Sequence, residues 1–143
     1  MSEADEVVEL DVEWTPDAGA PMPEIWQDEH SARLRYFASG PGDRIAVAEF
    51  SGCLQSRFGY PGDEALPGHP LYKRGLGYYG VFEIVSSTWL DELRRQNRVS
   101  FPSADWWPRG DVRHFIITFH DSTFECLASE MTGRVEDPAS SDL

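Results

Sequence analysis

The sequence predicts an α+β domain: a mainly antiparallel, strongly twisted sheet of about five or six strands, one packed helix and a long covering loop. Three observations carry that class. Runs rich in β-branched and aromatic residues recur at 32–38, 44–55, 77–85 and 113–128, and such residues suit a pleated, half-buried surface. One stretch only, SSTWLDELRRQN at 86–97, combines helical spacing with helix-start chemistry. Between them lies RFGYPGDEALPGHPLYKRGLG (57–77), which has neither period. Loops longer than about 12–15 residues are uncommon inside compact domains and often serve as lids, binding loops or Ω-loops.

A chain of 143 residues is sized for one domain. Its formal charge of −13 is unevenly spread, since residues 1–30 hold ten Asp and Glu and no Lys or Arg. Like charges repel and favour solvation, so 1–30 is expected to be an acidic, partly mobile arm. The globular domain is then expected at 31–130, followed by a polar tail at 131–143. A nucleic-acid partner is disfavoured because phosphate binding needs a basic stripe, and only the pairs Lys73-Arg74 and Arg94-Arg95 occur in the domain. No run approaches the roughly 20 apolar residues of a membrane span, and no basic, apolar leader opens the chain, so a cytoplasmic location without membrane contact is expected. Cys53 and Cys126 sit in strand-like sequence without CxxC spacing, which predicts buried, reduced thiols.

Taken in order, ARLRYFA (32–38) and RIAVAEFSGCLQ (44–55) are separated by SGPGD and predict a hairpin. The loop 57–77 follows, with Tyr60, Leu66, Leu71 and Tyr72 as its buried anchors, and then the strand GYYGVFEIV (77–85). The helix has Ser and Thr at its start, Asp91 and Glu92 early and Arg94 and Arg95 late, matching the helix dipole. Trp89, Leu90 and Leu93 make its apolar face. FPSADWWPRGD (101–111) is a loop, and RHFIITF with TFECLASEM close a second hairpin.

In that last hairpin, Phe115, Ile117 and Phe119 share one strand face, while His114, Ile116, Thr118 and His120 share the other. A tip at Asp121 and Ser122 sets Phe119 opposite Phe124, Ile117 opposite Cys126 and Phe115 opposite Ala128. The reverse face then pairs His120 with Thr123 and Thr118 with Glu125, a polar patch that the 57–77 loop is placed to cover. Glu49 and Glu83 lie mid-strand among apolar neighbours, with Arg33, Arg35 and Arg57 as candidate partners. A carboxylate so placed must be paired, hydrogen-bonded or shifted in pKa.

Two functional readings follow. A noncatalytic binding or accessory module would recognise a small molecule or a protein through Tyr60, His69, Tyr72 and Arg74 of the loop, with Thr118 and Thr123 of the hairpin. Alternatively, a small enzyme would use Glu125 and His120 as general acid and base, with Glu49, Glu83, His120 and Glu125 suited to a hard metal ion. Against the second stands the ordinary use of strand glutamates as partners of Arg, and of a tip histidine as a polar turn residue. No GxSxG, GxxxxGK[ST], HExxH or GxGxxG signature occurs, and no residue pattern names a cofactor or an oligomeric state.

GHPLYKRGLGYYGVFEI (68–84) and RHFIITFHDSTFECLA (113–128) resemble the hallmark segments, GHPLYxxGLxYYGxFE and RHFIxTFHDSTFEC, of a family of small uncharacterised bacterial proteins. The resemblance covers most of 44–128. It implies one compact domain and attaches no activity to any residue.

Overall fold

The computed structural model describes residues 4–108 and 110–137. Nine strands form among them: β1 (Glu6–Glu9), β2 (Glu24–Gln27), β3 (Ser31–Phe37), β4 (Ile45–Ser51), β5 (Gln55–Gly59), β6 (Val81–Val85), β7 (Arg113–Thr118), β8 (Thr123–Ala128) and β9 (Glu130–Glu136). One helix, α1 (Thr88–Ser100), follows β6, and two 3₁₀ turns (Asp63–Gly68 and Tyr72–Arg74) lie in the long loop. The fold is α+β with antiparallel pairing, as the sequence predicts. The strands divide, however, into a five-stranded sheet in the order β1-β6-β7-β8-β5 and a four-stranded sheet in the order β2-β3-β4-β9.

One extra strand, β5, takes the end of the predicted strand 44–55 and the first residues of the predicted loop 57–77, and the others come from segments expected outside the domain. β1 and β2 lie in the acidic arm and β9 in the C-terminal tail, yet each pairs with a central strand. Residues 1–3 and 138–143 lie outside the described residues. The net charge of the arm conceals its apolar residues: Leu10, Val12, Trp14 and Ile25 pack on the main core and Val7 on a second cluster, while Glu6 and Glu9 face solvent. Met131 and Val135 of β9 do likewise. Between them Gly133 leaves its Cβ space to the indole of Trp14, which lies where any side chain would project.

The two sheets enclose the main core. Ala32, Leu34 and Tyr36 of β3 and Ala46, Ala48 and Phe50 of β4 face Phe115, Ile117, Phe119, Phe124, Cys126 and Ala128 of the second hairpin. Small residues on one sheet make room for aromatics from the other. Tyr36 meets Phe119 edge-on with ring centroids 5.0 Å apart, and Phe50 lies 5.3 Å from Phe124 and 5.8 Å from Phe115. Cys53 and Cys126 are buried free thiols, as expected.

The outer face of the five-stranded sheet is covered by the long loop and by α1. Leu66, Leu71 and Leu76 of the loop close over Phe82, Ile84 and Ile116, with Tyr72 packed at the margin. Tyr60, expected among the buried anchors, is instead 85% exposed. No helix among the described residues is long and apolar enough to cross a membrane.

The second hairpin keeps its predicted faces and shifts its register. Ile117 lies opposite Phe124, Phe115 opposite Cys126, Ile116 opposite Glu125 and Thr118 opposite Thr123. The tip is the four-residue turn Phe119 to Ser122, closed by Phe119 N–H to Ser122 O at 2.8 Å. Relative to the expected tip, the pairing slides by two residues. A two-residue slide leaves every side chain on its face, so the apolar pattern alone could not distinguish the two registers.

Candidate functional site

The polar residues of the hairpin lie beneath the loop. Thr118, Thr123 and Glu125 are all buried, together with His114 and Ser87. A buried polar atom needs a partner, and the two threonines find theirs in the cover. Thr118 Oγ1 donates to Gly77 O (2.9 Å) and accepts from Gly80 N–H (3.1 Å). Thr123 Oγ1 donates to Pro61 O (2.8 Å). These two threonines fasten the two ends of the loop.

Glu125 fastens its middle. His69 Nε2 lies 2.9 Å from Oε2, and His114 Nε2 lies 2.8 Å from Oε1. On the far side of its ring, His69 Nδ1 accepts the Leu71 N–H (3.0 Å), which places the ring proton on Nε2, aimed at the carboxylate. His114 Nδ1 contacts Ser87 Oγ at 2.9 Å, while Ser87 Oγ accepts the Leu90 N–H (3.2 Å) as the N-cap of α1. The arrangement that satisfies every atom has Ser87 O–H donating to His114 Nδ1 and His114 Nε2–H donating to Glu125. One carboxylate thus ties the loop, through His69, and the helix, through His114 and Ser87, to the sheet. Burial pushes the Glu125 carboxyl up, but the hydrogen bonds from His114 and His69 outweigh it and hold the group down at about 2.

His120 belongs to a separate cluster at the hairpin tip. Its Nδ1 donates to Asp63 Oδ2 (2.7 Å), which also accepts from Tyr79 O–H (2.5 Å), and Asp63 N–H donates to His120 O (2.8 Å). The Tyr79 hydroxyl, with His120 beside it, holds the Asp63 carboxyl below its usual range. The sequence expectation that His120 and Glu125 work as a pair is therefore not met in geometry: each binds a different loop residue, and the His120 side chain is 41% exposed.

The four candidate metal ligands are dispersed. Glu83 forms a two-point ion pair with Arg113 (2.9 and 2.7 Å), and Glu49, on the four-stranded sheet, pairs with Arg134 (3.1 Å). Neither uses Arg33, Arg35 or Arg57. Among the described residues no group of three His, Cys, Asp or Glu side chains is placed to hold a metal ion. Of the loop residues proposed for binding, His69 is enclosed, Tyr72 is half-buried, Arg74 is exposed with Nη1 donating to Ala4 O (2.9 Å), and Tyr60 projects into solvent.

Sequence reasoning missed His114 and Ser87. The strand parity put His114 on the same face as Thr118 and Glu125, which was the available signal; the two-residue slide in register is what makes it a diagonal neighbour of Glu125. Ser87 was visible only as a helix start.

The line Ser87–His114–Glu125 has the order of a hydrolytic triad, so its surroundings decide its chemistry. A triad needs a nucleophile free to attack and donors free to receive an oxyanion. Ser87 Oγ is committed to the Leu90 N–H, and the Thr88 N–H, which would point out of the helix N-terminus, is capped by Asp5 Oδ1 at 2.8 Å, with Thr88 Oγ1 on Oδ2 at 2.9 Å. The second oxygen of Glu125 is held by His69. The arrangement is that of a polar brace.

Trp89 of α1 completes the outer face. Its ring meets His114 edge-on at 5.2 Å, its Nε1–H donates to Gln55 Oε1 (2.9 Å), and the Arg57 guanidinium lies 3.9 Å above the ring centre. The segments 68–84 and 113–128 contain His69, His114 and Glu125. No protein-family model, no curated protein and no solved structure matches the chain.

Proposed function

We propose that the protein is a noncatalytic binding or accessory module, recognising a small molecule or a protein with the outward side of its loop and the neighbouring edge strand β5. The observation that carries the reading is the split between the two sides of the loop. Its inner side is fastened at Thr118, Thr123 and Glu125, whereas Tyr60 projects at 85% exposure, and Phe58 of β5, packed on Phe124 at the other face of the sheet, is 43% exposed. Aromatic side chains on a rigid support lose little entropy on docking, and they recur at recognition surfaces. Among the described residues β5 is the outer strand of its sheet, paired with β8 alone, and a strand edge without a ladder partner is suited to docking. Recognition thus moves from the polar face of the hairpin, which is closed, to the surface that the closed face supports.

A photo-crosslinking amino acid, p-benzoylphenylalanine, placed at position 60 in living cells tests this, with position 99, occupied by the 84% exposed Val99, as the control. The expected result is a discrete adduct from position 60 that the control lacks. Equal or no capture at the two positions contradicts the reading.

The order Ser87–His114–Glu125 supports the alternative, a small enzyme, strongly enough to deserve its own test. A fluorophosphonate probe that modifies activated serines is expected to leave Ser87 unlabelled in the folded protein. Stoichiometric labelling, abolished by Ser87→Ala, would establish the enzyme reading in its place.

A further inference from the structure

A cleft of about 380 Å³ opens between β5 and α1, with Gln55, Arg57, Trp89, Glu92 and Gln96 in its walls. Gln55 and Arg57 are two apart on β5 and so project from the same face. Arg57 stands directly opposite Glu125 in the sheet, the position at which a salt bridge would ordinarily form. No such bridge forms among the described residues: the two oxygens of Glu125 point to His69 and His114. Arg57 instead lies on the face of Trp89 and makes no ion pair among the described residues.

Stacking uses the flat face of a guanidinium and leaves its N–H edge available, since its five donors lie in the plane. Trp89 is itself fixed by the bond from its indole N–H to Gln55 Oε1. Because that oxygen accepts, the NH₂ is the end of the Gln55 amide left to donate. The cleft therefore offers a planar two-point donor and an amide NH₂, beside one carboxylate, Glu92, in the helical wall. A planar acceptor with one negative charge fits them: two carboxylate oxygens match the guanidinium fork. Glu92, in the helical wall, disfavours a second negative charge, so a doubly charged phosphate fits less well.

We infer that the cleft between β5 and α1 binds a small molecule through a single carboxylate, held by Arg57 and Gln55 over the anchored Trp89. This rests on the binding reading and extends its surface along β5.

The probe is N-acetylglycine, with its neutral amide N-acetylglycinamide and inorganic phosphate as comparisons, titrated into the full chain. The readout is the Trp89 indole N–H resonance, assigned by its disappearance in Trp89→Phe. The expected result is a saturable shift with N-acetylglycine, no saturable shift with the amide, and weaker binding of phosphate. In Arg57→Gln the affinity should fall by about tenfold or more, the loss of a charge-assisted two-point bond, with the melting temperature unchanged. No saturable shift, an equal response to the amide, tighter phosphate binding, or retained affinity in Arg57→Gln would each overturn the inference. Adducts at position 60 without a carboxylate response would sink the inference and leave the binding reading standing, whereas failure of both experiments would remove both.

Discussion

Glu125→Ala is expected to destabilise the fold by about 2–5 kcal/mol, because two buried donors are left unsatisfied at about 1–3 kcal/mol each. The cause is what stays behind. His69 Nε2–H and His114 Nε2–H would point into space left by the carboxylate, and their rings are fixed on the other side by Leu71 N–H and Ser87 Oγ. Neither donor has another acceptor in reach without releasing the loop or the helix start. For a chain of this size the melting temperature should fall by roughly 10 °C. Glu125→Gln should rescue little, because a carboxamide offers one acceptor and turns its NH₂ toward the other imidazole donor. In double-mutant cycles Glu125→Ala should be strongly non-additive with His69→Ala and with His114→Ala, since the three share one network. Thermal unfolding measures all four; a drop of only a degree or two for Glu125→Ala would mean that the loop and helix are held by their apolar contacts alone.

Acid should remove the same stabilisation without a mutation. The Glu125 carboxyl sits at about 2 in the folded chain against an ordinary value of 4.5. Because the folded value is the lower one, ionisation favours the folded state. The contribution is complete above about pH 5, and it is lost as the pH falls through the window from 4.5 to about 2. A difference of this size corresponds to about 3 kcal/mol. Urea unfolding of the natural chain and of Glu125→Gln across that window isolates it, since other carboxylates, Asp63 among them, titrate in both proteins. The stability gap between the two is expected to narrow by about 3 kcal/mol. A gap that stays constant from pH 6 to pH 2 would show that Glu125 does not titrate there.

The sequence made the core of the second hairpin legible because its alternation places Phe115, Ile117 and Phe119 on one face and Thr118 and His114 on the other. Register was beyond its reach, since a two-residue slide preserves every face. The covering role of the loop was also legible, from the presence of Ile116 on a face otherwise polar. The partner of Glu125 was not. Its ligands come from His69, 56 residues away, and from His114, whose importance depends on where α1 begins. Charge misled at the chain ends: ten acids in the first thirty residues masked Val7, Leu10, Val12 and Trp14, which sequence alternation places on strands or against the core. Glu49 and Glu83 do take arginine partners, but diagonal ones: Arg134 and Arg113 lie two residues along from Thr132 and Phe115, the residues directly opposite, while Arg33, which stands opposite Glu49, lies over the Trp26 ring instead.

The distinction between a brace and an acid or base is carried by the ionisation of one group. A catalytic acid or base is tuned toward the working pH, which for a carboxyl means a rise to about 6 or 7. A carboxylate that accepts a hydrogen bond on each oxygen is driven the other way. The measurement that separates them is the side-chain carboxyl ¹³C resonance of Glu125, followed by NMR from neutral pH into acid. Its midpoint is expected near 2, with Glu125 ionised throughout the physiological range. A midpoint near or above 6 would contradict the brace and return Glu125 to the chemistry of an active site.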